Sequence, residues 1–400
     1  MSSALSFPRA TAISASEALA LAEPVAQRLA ATAIVRDQAG GHAREQRELI
    51  RTSGLLALTV PGAHGGLGGS WPTFYRVLRR LSQADSALAH LFGFHHLQLA
   101  GVMLYGSEAQ QQRLLGQTVE HRWFWGNALN PLDKRLLATD AISSYRLDGV
   151  KSFASGSVGS DLLTLSAWHA PTQTALIAVL PTAAAGVTVN ADWDAFGQKQ
   201  TDSGTVSFDA VHLAAGDVLQ PPGAAPTLRA SLRTQVSQLI MANLYLGIAQ
   251  GALQEALRFN RDEARPWFQS GVSASVDDPF VQHRYGELWL KVRPAEALAD
   301  SAAATLQHAL DRGDALTPAD RGEVAIAIAE AKVLAHRAAV EVSTDLFELT
   351  GARSTSARYG MDRFWRNARV HTLHDPVDYK LRDLGRHALT GAWPEPTPYS

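Results

Sequence analysis

The chain has 400 residues, 46% of them hydrophobic, and a formal net charge of −2. That is enough apolar material for a large core or several packed units, and no basic stripe marks a nucleic-acid partner. It contains no cysteine, which excludes a disulfide framework, a cysteine-ligated zinc or iron–sulfur site, and a thiol nucleophile.

The opening MSSALSFPRATAISAS lacks the apolar stretch of a signal peptide and reads as a loose end leading into a first helix. No apolar run approaches the roughly 20 residues of a membrane span, so a soluble, cytoplasmic protein is expected. From about 14 to 120 the chain reads as helices. Leu19, Leu21, Val25, Leu29 and Ile34 fall near helical spacing, Pro72 to Leu81 is similar, and Ala87 to Leu104 is apolar enough for a buried helix. Between the first and second of these lies the glycine-rich connector VPGAHGGLGGSW, residues 60–71.

From about 121 to 222 the period changes to that of strands. SYRL, Asp148-Gly149 and VKSFAS predict a hairpin with a two-residue turn. LLTLSAWHA, TALIAVLPT, GVTVNADW and GTVSFDAVHL predict further strands, and the set suggests an antiparallel barrel or sandwich. From about 226 the helical period returns. Val236, Ile240, Leu246, Ile248, Leu253 and Leu257 mark one long helix, and Pro279 to Leu310 a second that stops near Gly313. Thr317-Pro318-Ala319-Asp320 is a helix start with cap, proline and acid in order, and a fourth helix covers roughly Asp375 to Leu389. The division predicted is 1–120 helical, 121–225 β-barrel, and 226–400 four-helix bundle and tail: an α+β multi-domain chain.

There is no GxSxG elbow, HExxH or P-loop, and the glycines at 65–69 do not fit a dinucleotide fingerprint. Two segments point to chemistry. Lys151-Ser152-Phe153-Ala154-Ser155-Gly156 sets a hydroxyl beside an aromatic on a predicted strand, and Gly197 to Gly204 is a dense polar run entering VSFDAVHL. With VPGAHGGLGG they resemble the acyl-CoA dehydrogenase superfamily, in which an aromatic of such a strand lies against the flavin and a hydroxyl meets its N5 edge. That family abstracts a carbon-bound proton with a glutamate base. Its usual places here read Arg369-Val370-His371-Thr372-Leu373-His374-Asp375-Pro376 and Ser237-Gln238, with no glutamate in either.

HTLHDP, together with AHLFGFHH, WFWGNA, NADWDAFGQKQTDSG, EARPWF and the PYS ending, resembles instead the FMNH2-dependent sulfur monooxygenases of the same fold, the group of dibenzothiophene and methanesulfinate monooxygenases. The resemblance implies FMN, delivered as FMNH2 by a separate NAD(P)H:flavin reductase, with O2 as co-substrate and a flavin (hydro)peroxide as oxidant. Carried over, Ser155 and Asn127 bond the flavin edge and Phe153 packs on its face. His374 bonds the peroxide, His90 adds a second polar group, and Phe94, Trp193 and His371 line the substrate pocket. Arg265 and Arg353 hold the flavin phosphate, at least one of them from a neighbouring copy in a homotetramer.

Each assignment has a plainer alternative: a loop asparagine bonded to its own backbone for Asn127, core packing for Trp193, a structural histidine for His90, surface ion pairs for the arginines. His371, His374 and Asp375 form a minimal set of metal ligands, but no metal is expected. Phe94, His96, Phe124, Trp125 and Pro131 hint at a small cavity, which favours an alkanesulfinate such as methanesulfinate over a dibenzothiophene-type sulfide, in sulfur assimilation or desulfurisation. The competing readings are an acyl-CoA dehydrogenase with an unusual base, a flavin N-hydroxylase, and a non-catalytic flavin-fold subunit.

Overall fold

The computed structural model describes residues 12–225 and 227–400, so most of the expected loose N-terminal end lies outside the described residues. Among the described residues ten α-helices and eight strands follow in three zones. The first holds α1 (Ala15–Ala39), α2 (Arg44–Thr52), α3 (Trp71–Ala84), α4 (Ser86–Tyr105) and α5 (Glu108–His121). Ser14 and Glu17 close a capping box on α1, and the Asp85 carboxylate accepts from the backbone N–H groups of Ala87 and Leu88 to start α4. Every residue of α4 from Ser86 to Val102 is buried, which explains its lack of a polar face.

The second zone holds β1 (Trp125–Ala128), β2 (Leu137–Ala141), β3 (Ser144–Lys151), β4 (Leu162–His169), β5 (Thr174–Pro181), β6 (Val187–Val189), β7 (Val206–Ala214) and β8 (Val218–Gln220), in the order β6-β7-β3-β2-β4-β5-β8 with β1 also on β4. The sheet is mixed where an antiparallel one was predicted: β1 and β2 both run parallel to β4. The hairpin turn is also displaced. β2 and β3 meet around Ser143, which has a φ of 51°, while Asp148-Gly149 lies inside β3. There the register against β7 shifts between Leu147 and Gly149, so the Asp-Gly pair marks a bulge. Gly149 has a φ of 133°, and a Cβ on it would stand 2.0 Å from the Arg135 carbonyl. GVTVNADW supplies only the short β6.

The third zone holds α6 (Leu232–Asp262), α7 (Pro279–Asp311), α8 (Pro318–Thr350), α9 (Asp362–Thr372) and α10 (Val377–Thr390). The Thr317 capping box starts α8 as the sequence predicts, whereas α9 was not anticipated. One apolar core runs from α1 through α3 and α4 into α6, α7 and α8, so the first and last zones share it. A second fills the sheet, and a third joins α4 and α5 to β1, β4 and β5. By length and composition α1, α4 and α6 could each cross a membrane, contrary to the sequence expectation; α4 and α6 are 89% buried over their most apolar windows.

Candidate functional site

α4, α6, the end of α9, the loops after β1 and β3, and the C-terminal tail enclose a cavity of about 530 Å³. His90, Phe94, Asn127, Phe153, Ser155, Trp193, His371 and His374 all line it. Arg265 and Arg353 do not: Arg265 is exposed just beyond α6, and Arg353 makes a surface ion pair with Glu263 at 3.4 Å. His96, Phe124 and Trp125 also face elsewhere, so they carry no information about cavity size. A larger cavity of about 630 Å³ lies between α10 and the tail and shares only His374 and Tyr399 with the first.

The β side of the site is a loop, not the predicted strand. β3 ends at Lys151, whose buried ammonium donates to the carbonyls of Asn130 (2.6 Å) and Asp133 (2.8 Å) and to Ser166 Oγ (3.1 Å). Burial lowers this lysine to about 8. It ties the β3 exit to the loop that carries Asn127 to Pro131. Beyond it Phe153 takes a φ of 54° and presents a ring that is 69% exposed, 6.1 Å from Trp193. A bulky residue in the left-handed region is strained, and such strain is concentrated at functional sites. The loop is pinned by Asn127 N–H to the Ser155 carbonyl (2.9 Å), by Gly156 N–H to the Thr201 carbonyl (2.9 Å), and by Arg47, which reaches the Gly156 carbonyl and Asp202.

Hydroxyls then form a chain. Ser155 Oγ lies 2.8 Å from Ser203 Oγ, Ser203 donates to Thr201 Oγ1 at 2.8 Å, and Thr201 donates to the Gln198 carbonyl at 2.9 Å. A carbonyl only accepts. With each hydroxyl donating down the chain, Ser155 Oγ keeps its lone pairs for the cavity. Asn127 Oδ1 accepts weakly from Leu129 N–H at 3.4 Å, while its amide N–H groups have no partner among the described residues. Ser203, Thr201 and Gln198 belong to the polar run already singled out in the sequence, although none was given a role.

The helical side carries the histidines. His95 and His96 are structural. His95 bonds the Leu56 carbonyl and the Trp125 N–H, and His96 bonds Thr59 and the Leu55 carbonyl. His90, one turn earlier on the same helix, is 5% exposed with neither ring nitrogen bonded. It stacks on Phe94 at 4.0 Å and leans on His371 at 4.7 Å. Burial, followed by the neighbouring histidines, pushes His90 well below the ordinary imidazole range and His371 down to about 3. Both rings are therefore neutral near pH 7.

His374 Nδ1 stands 3.0 Å from Asp375 Oδ1, and Asp375 is paired with the buried Lys332, which also donates to Gln238 Oε1 at 2.6 Å. Burial alone would raise the Asp375 carboxyl, but the hydrogen bond from His374 and the Lys332 charge hold it below the usual carboxylate range. An ionised carboxylate only accepts, so His374 carries its proton on Nδ1 and keeps Nε2 for another partner. Among the described residues no cluster of three metal-ligating side chains forms. Among the described residues no Asp or Glu lines the cavity.

Family models for the acyl-CoA dehydrogenase N-terminal and C-terminal domains match residues 18–122 and 239–379. The chain is 44% identical to the probable FMNH2-dependent monooxygenase SfnC of Pseudomonas putida, over 96% of this chain and 97% of that one. Methanesulfinate monooxygenase MsuC of Pseudomonas fluorescens superposes with a TM-score of 0.93 at 44% identity, covering 96% and 99% of the two chains. FMN-bound TdsC, a dibenzothiophene monooxygenase of a Paenibacillus species, gives 0.92 at 41%, covering 96% and 100%. Butyryl-CoA dehydrogenase of Megasphaera elsdenii, at 20% identity and 0.81, shares the fold. The chain belongs to the acyl-CoA dehydrogenase family, in the branch that contains the FMNH2-dependent sulfur monooxygenases.

Proposed function

We propose that this FMNH2-dependent monooxygenase transfers one atom of O2 to the sulfur of a small organosulfur compound, with an alkanesulfinate such as methanesulfinate favoured over a dibenzothiophene-type sulfide. The observation that carries it is the cavity's two walls: amide and hydroxyl groups with unused capacity on one, neutral imidazoles on the other, and no carboxylate to serve as a carbon-acid base. That last feature sets the dehydrogenase alternative aside.

The walls suit a reduced flavin. Ser155 Oγ offers an acceptor to a flavin N–H, the Asn127 amide offers donors, and Phe153 offers an aromatic face. Bound reduced FMN supplies the two electrons that activate O2, so that sulfinate, FMNH2 and O2 become sulfonate, FMN and water. The chain's own residues keep water out and place the protons. His90 and His371 remain uncharged and give a dry, weakly polar lining. His374, with Asp375 fixing its Nδ1–H, presents Nε2 to accept or return a proton at the reacting oxygen. A separate reductase provides the FMNH2.

Arg265 and Arg353 reach the flavin phosphate only across a subunit boundary, within a homotetramer. The exposed Trp267, Phe268, Phe280, Trp289 and Leu290 fit that assembly as a buried interface.

The test supplies chemically reduced FMN and O2 with methanesulfinate, and measures sulfonate and hydrogen peroxide together. Sulfonate formation is expected, with Ser155→Ala and His374→Ala lowering the ratio of sulfonate to peroxide about 10- to 1,000-fold. If flavin reoxidises at its free-solution rate and neither sulfinate nor sulfide is oxygenated, the oxygenase reading is wrong. Turnover of an acyl-CoA with an artificial electron acceptor would replace it with the dehydrogenase.

A further inference from the structure

Arg233 stands in the first turn of α6, is 8% exposed, and lines the 530 Å³ cavity. Among the described residues it forms no ion pair. One of its Nη atoms donates to Gln98 Oε1 at 3.0 Å, and Nε has no partner. Gln98 is turned toward it by its own amide, which is spent on the Phe94 carbonyl at 2.9 Å. α4 makes room for the guanidinium with a glycine: a Cβ on Gly101 would lie 3.2 Å from Arg233 Nε. The other neighbours are Tyr105, a phenol, and Thr234 and Ser237, hydroxyls of the same helix that also face the cavity.

A buried guanidinium without a carboxylate is costly, because the charge has been taken from water and nothing answers it. Burial indeed lowers the Arg233 pKa. Among the described residues no Asp or Glu lines the cavity, and its buried histidines are neutral, so of these lining residues Arg233 is the one with a permanently charged side chain. A site built this way suits an anion. The guanidinium shares the cavity with Ser155 and Asn127.

We propose that Arg233 binds the anionic head of the substrate and makes the enzyme select sulfinates over neutral sulfides. The planar fork matches the two oxygens of a sulfinate, with Thr234 and Ser237 at hand for further bonds, and leaves the sulfur lone pair free to take the oxygen atom. The inference rests on the sulfur-oxygenase reading for its substrate, but anion binding can be measured without turnover.

The experiment compares wild type with Arg233→Met and Arg233→Lys, the FMN-loaded protein being titrated calorimetrically with methanesulfonate. FMN affinity is measured in parallel, and kcat/KM is taken for methanesulfinate and for dibenzothiophene. The expected result for Arg233→Met is loss of methanesulfonate binding and a roughly 100-fold fall in the ratio of sulfinate to sulfide kcat/KM, carried mainly by KM. FMN affinity should be unchanged and partial recovery seen with lysine. Folding is secured by the melting temperature, which removal of an unanswered charge should hold or raise. Unchanged anion binding and an unchanged substrate ratio in Arg233→Met overturn the proposal. A matching loss of FMN affinity also overturns it and gives the guanidinium to the flavin phosphate. If wild type oxygenates neither substrate, the functional reading falls, and the titration still decides whether Arg233 holds an anion.

Discussion

Lys332 and Asp375 are the residues on which the histidine end of the site rests. Lys332 is 1% exposed and Asp375 7%, and the pair anchors α8 to the segment that carries His374. Breaking a buried pair from one side leaves the other charge unanswered, at a cost of about 3–5 kcal/mol. Lys332→Met should therefore lower unfolding stability by about that much, and Lys332→Met with Asp375→Leu should recover most of it, as read by denaturant titration. A double variant no more stable than the single one would show that the pair is not coupled. Asp375→Asn also leaves Lys332 unanswered and should destabilise, but its amide can donate toward His374 where the carboxylate only accepts, so at a temperature where the variant stays folded the share of flux lost to peroxide should rise. His374 and Asp375 were legible in HTLHDP. Lys332 was not, because a lysine inside a helix reads as solvent-facing until the partner 43 positions away is known. Arg233 escaped for the same reason.

At the level of elements, α6 crosses α3 closely because two glycines permit it. A Cβ on Gly247 would lie 2.4 Å from the Ser82 Cβ, and one on Gly251 2.4 Å from the Gln83 carbonyl oxygen. Helix propensity favours alanine over glycine by about 1 kcal/mol, but forcing a methyl against backbone in a packed crossing costs about 1–3 kcal/mol. Packing wins, so Gly247→Ala should destabilise. Gly116 of α5 has nothing within 4 Å of its Cβ position, so Gly116→Ala should stabilise by up to about 1 kcal/mol. Opposite shifts in melting temperature are the outcome to look for; shifts of one sign would mean that propensity alone governs both. The long helices were visible in sequence because their apolar stripes persist over many turns. α9 was not, since FWRNARVHT is short and mixes charge with aromatics. Asp148-Gly149 misled because a glycine with positive φ serves a turn and a bulge equally well, and the β7 partner decides between them. The Lys151–Gly156 segment brings Phe153 and Ser155 to the cavity on a loop where a strand was predicted: its alternation fits a strand, but the φ of Phe153 turns the chain toward the cavity.

For the molecule as a whole, four neutral imidazoles buried between α4 and its neighbours set the acid limit. Burial lowers His90 and His96 well below the ordinary range, His95 to about 4 and His371 to about 3. In the unfolded chain each titrates near 6.5. Between about pH 6.5 and 4 the unfolded state therefore binds protons that the folded state refuses, and stability falls as pH falls through that window. Each histidine contributes up to about 1.4 kcal/mol per pH unit there. Asp375 adds to the loss only lower, as pH falls into and below the ordinary carboxylate range, where its unfolded form takes up a proton first. Urea midpoints should thus be flat above pH 7 and fall steeply from pH 6 to 4.5, with a slope that His90→Phe reduces by one proton's worth. A flat profile across this window would mean that the buried rings are protonated in the fold, and the neutral lining assigned to the cavity would go with it. Because His90 and His371 stay uncharged down to the pH at which the fold itself fails, acid should end activity through unfolding and not by charging the two rings that close the cavity beside His374.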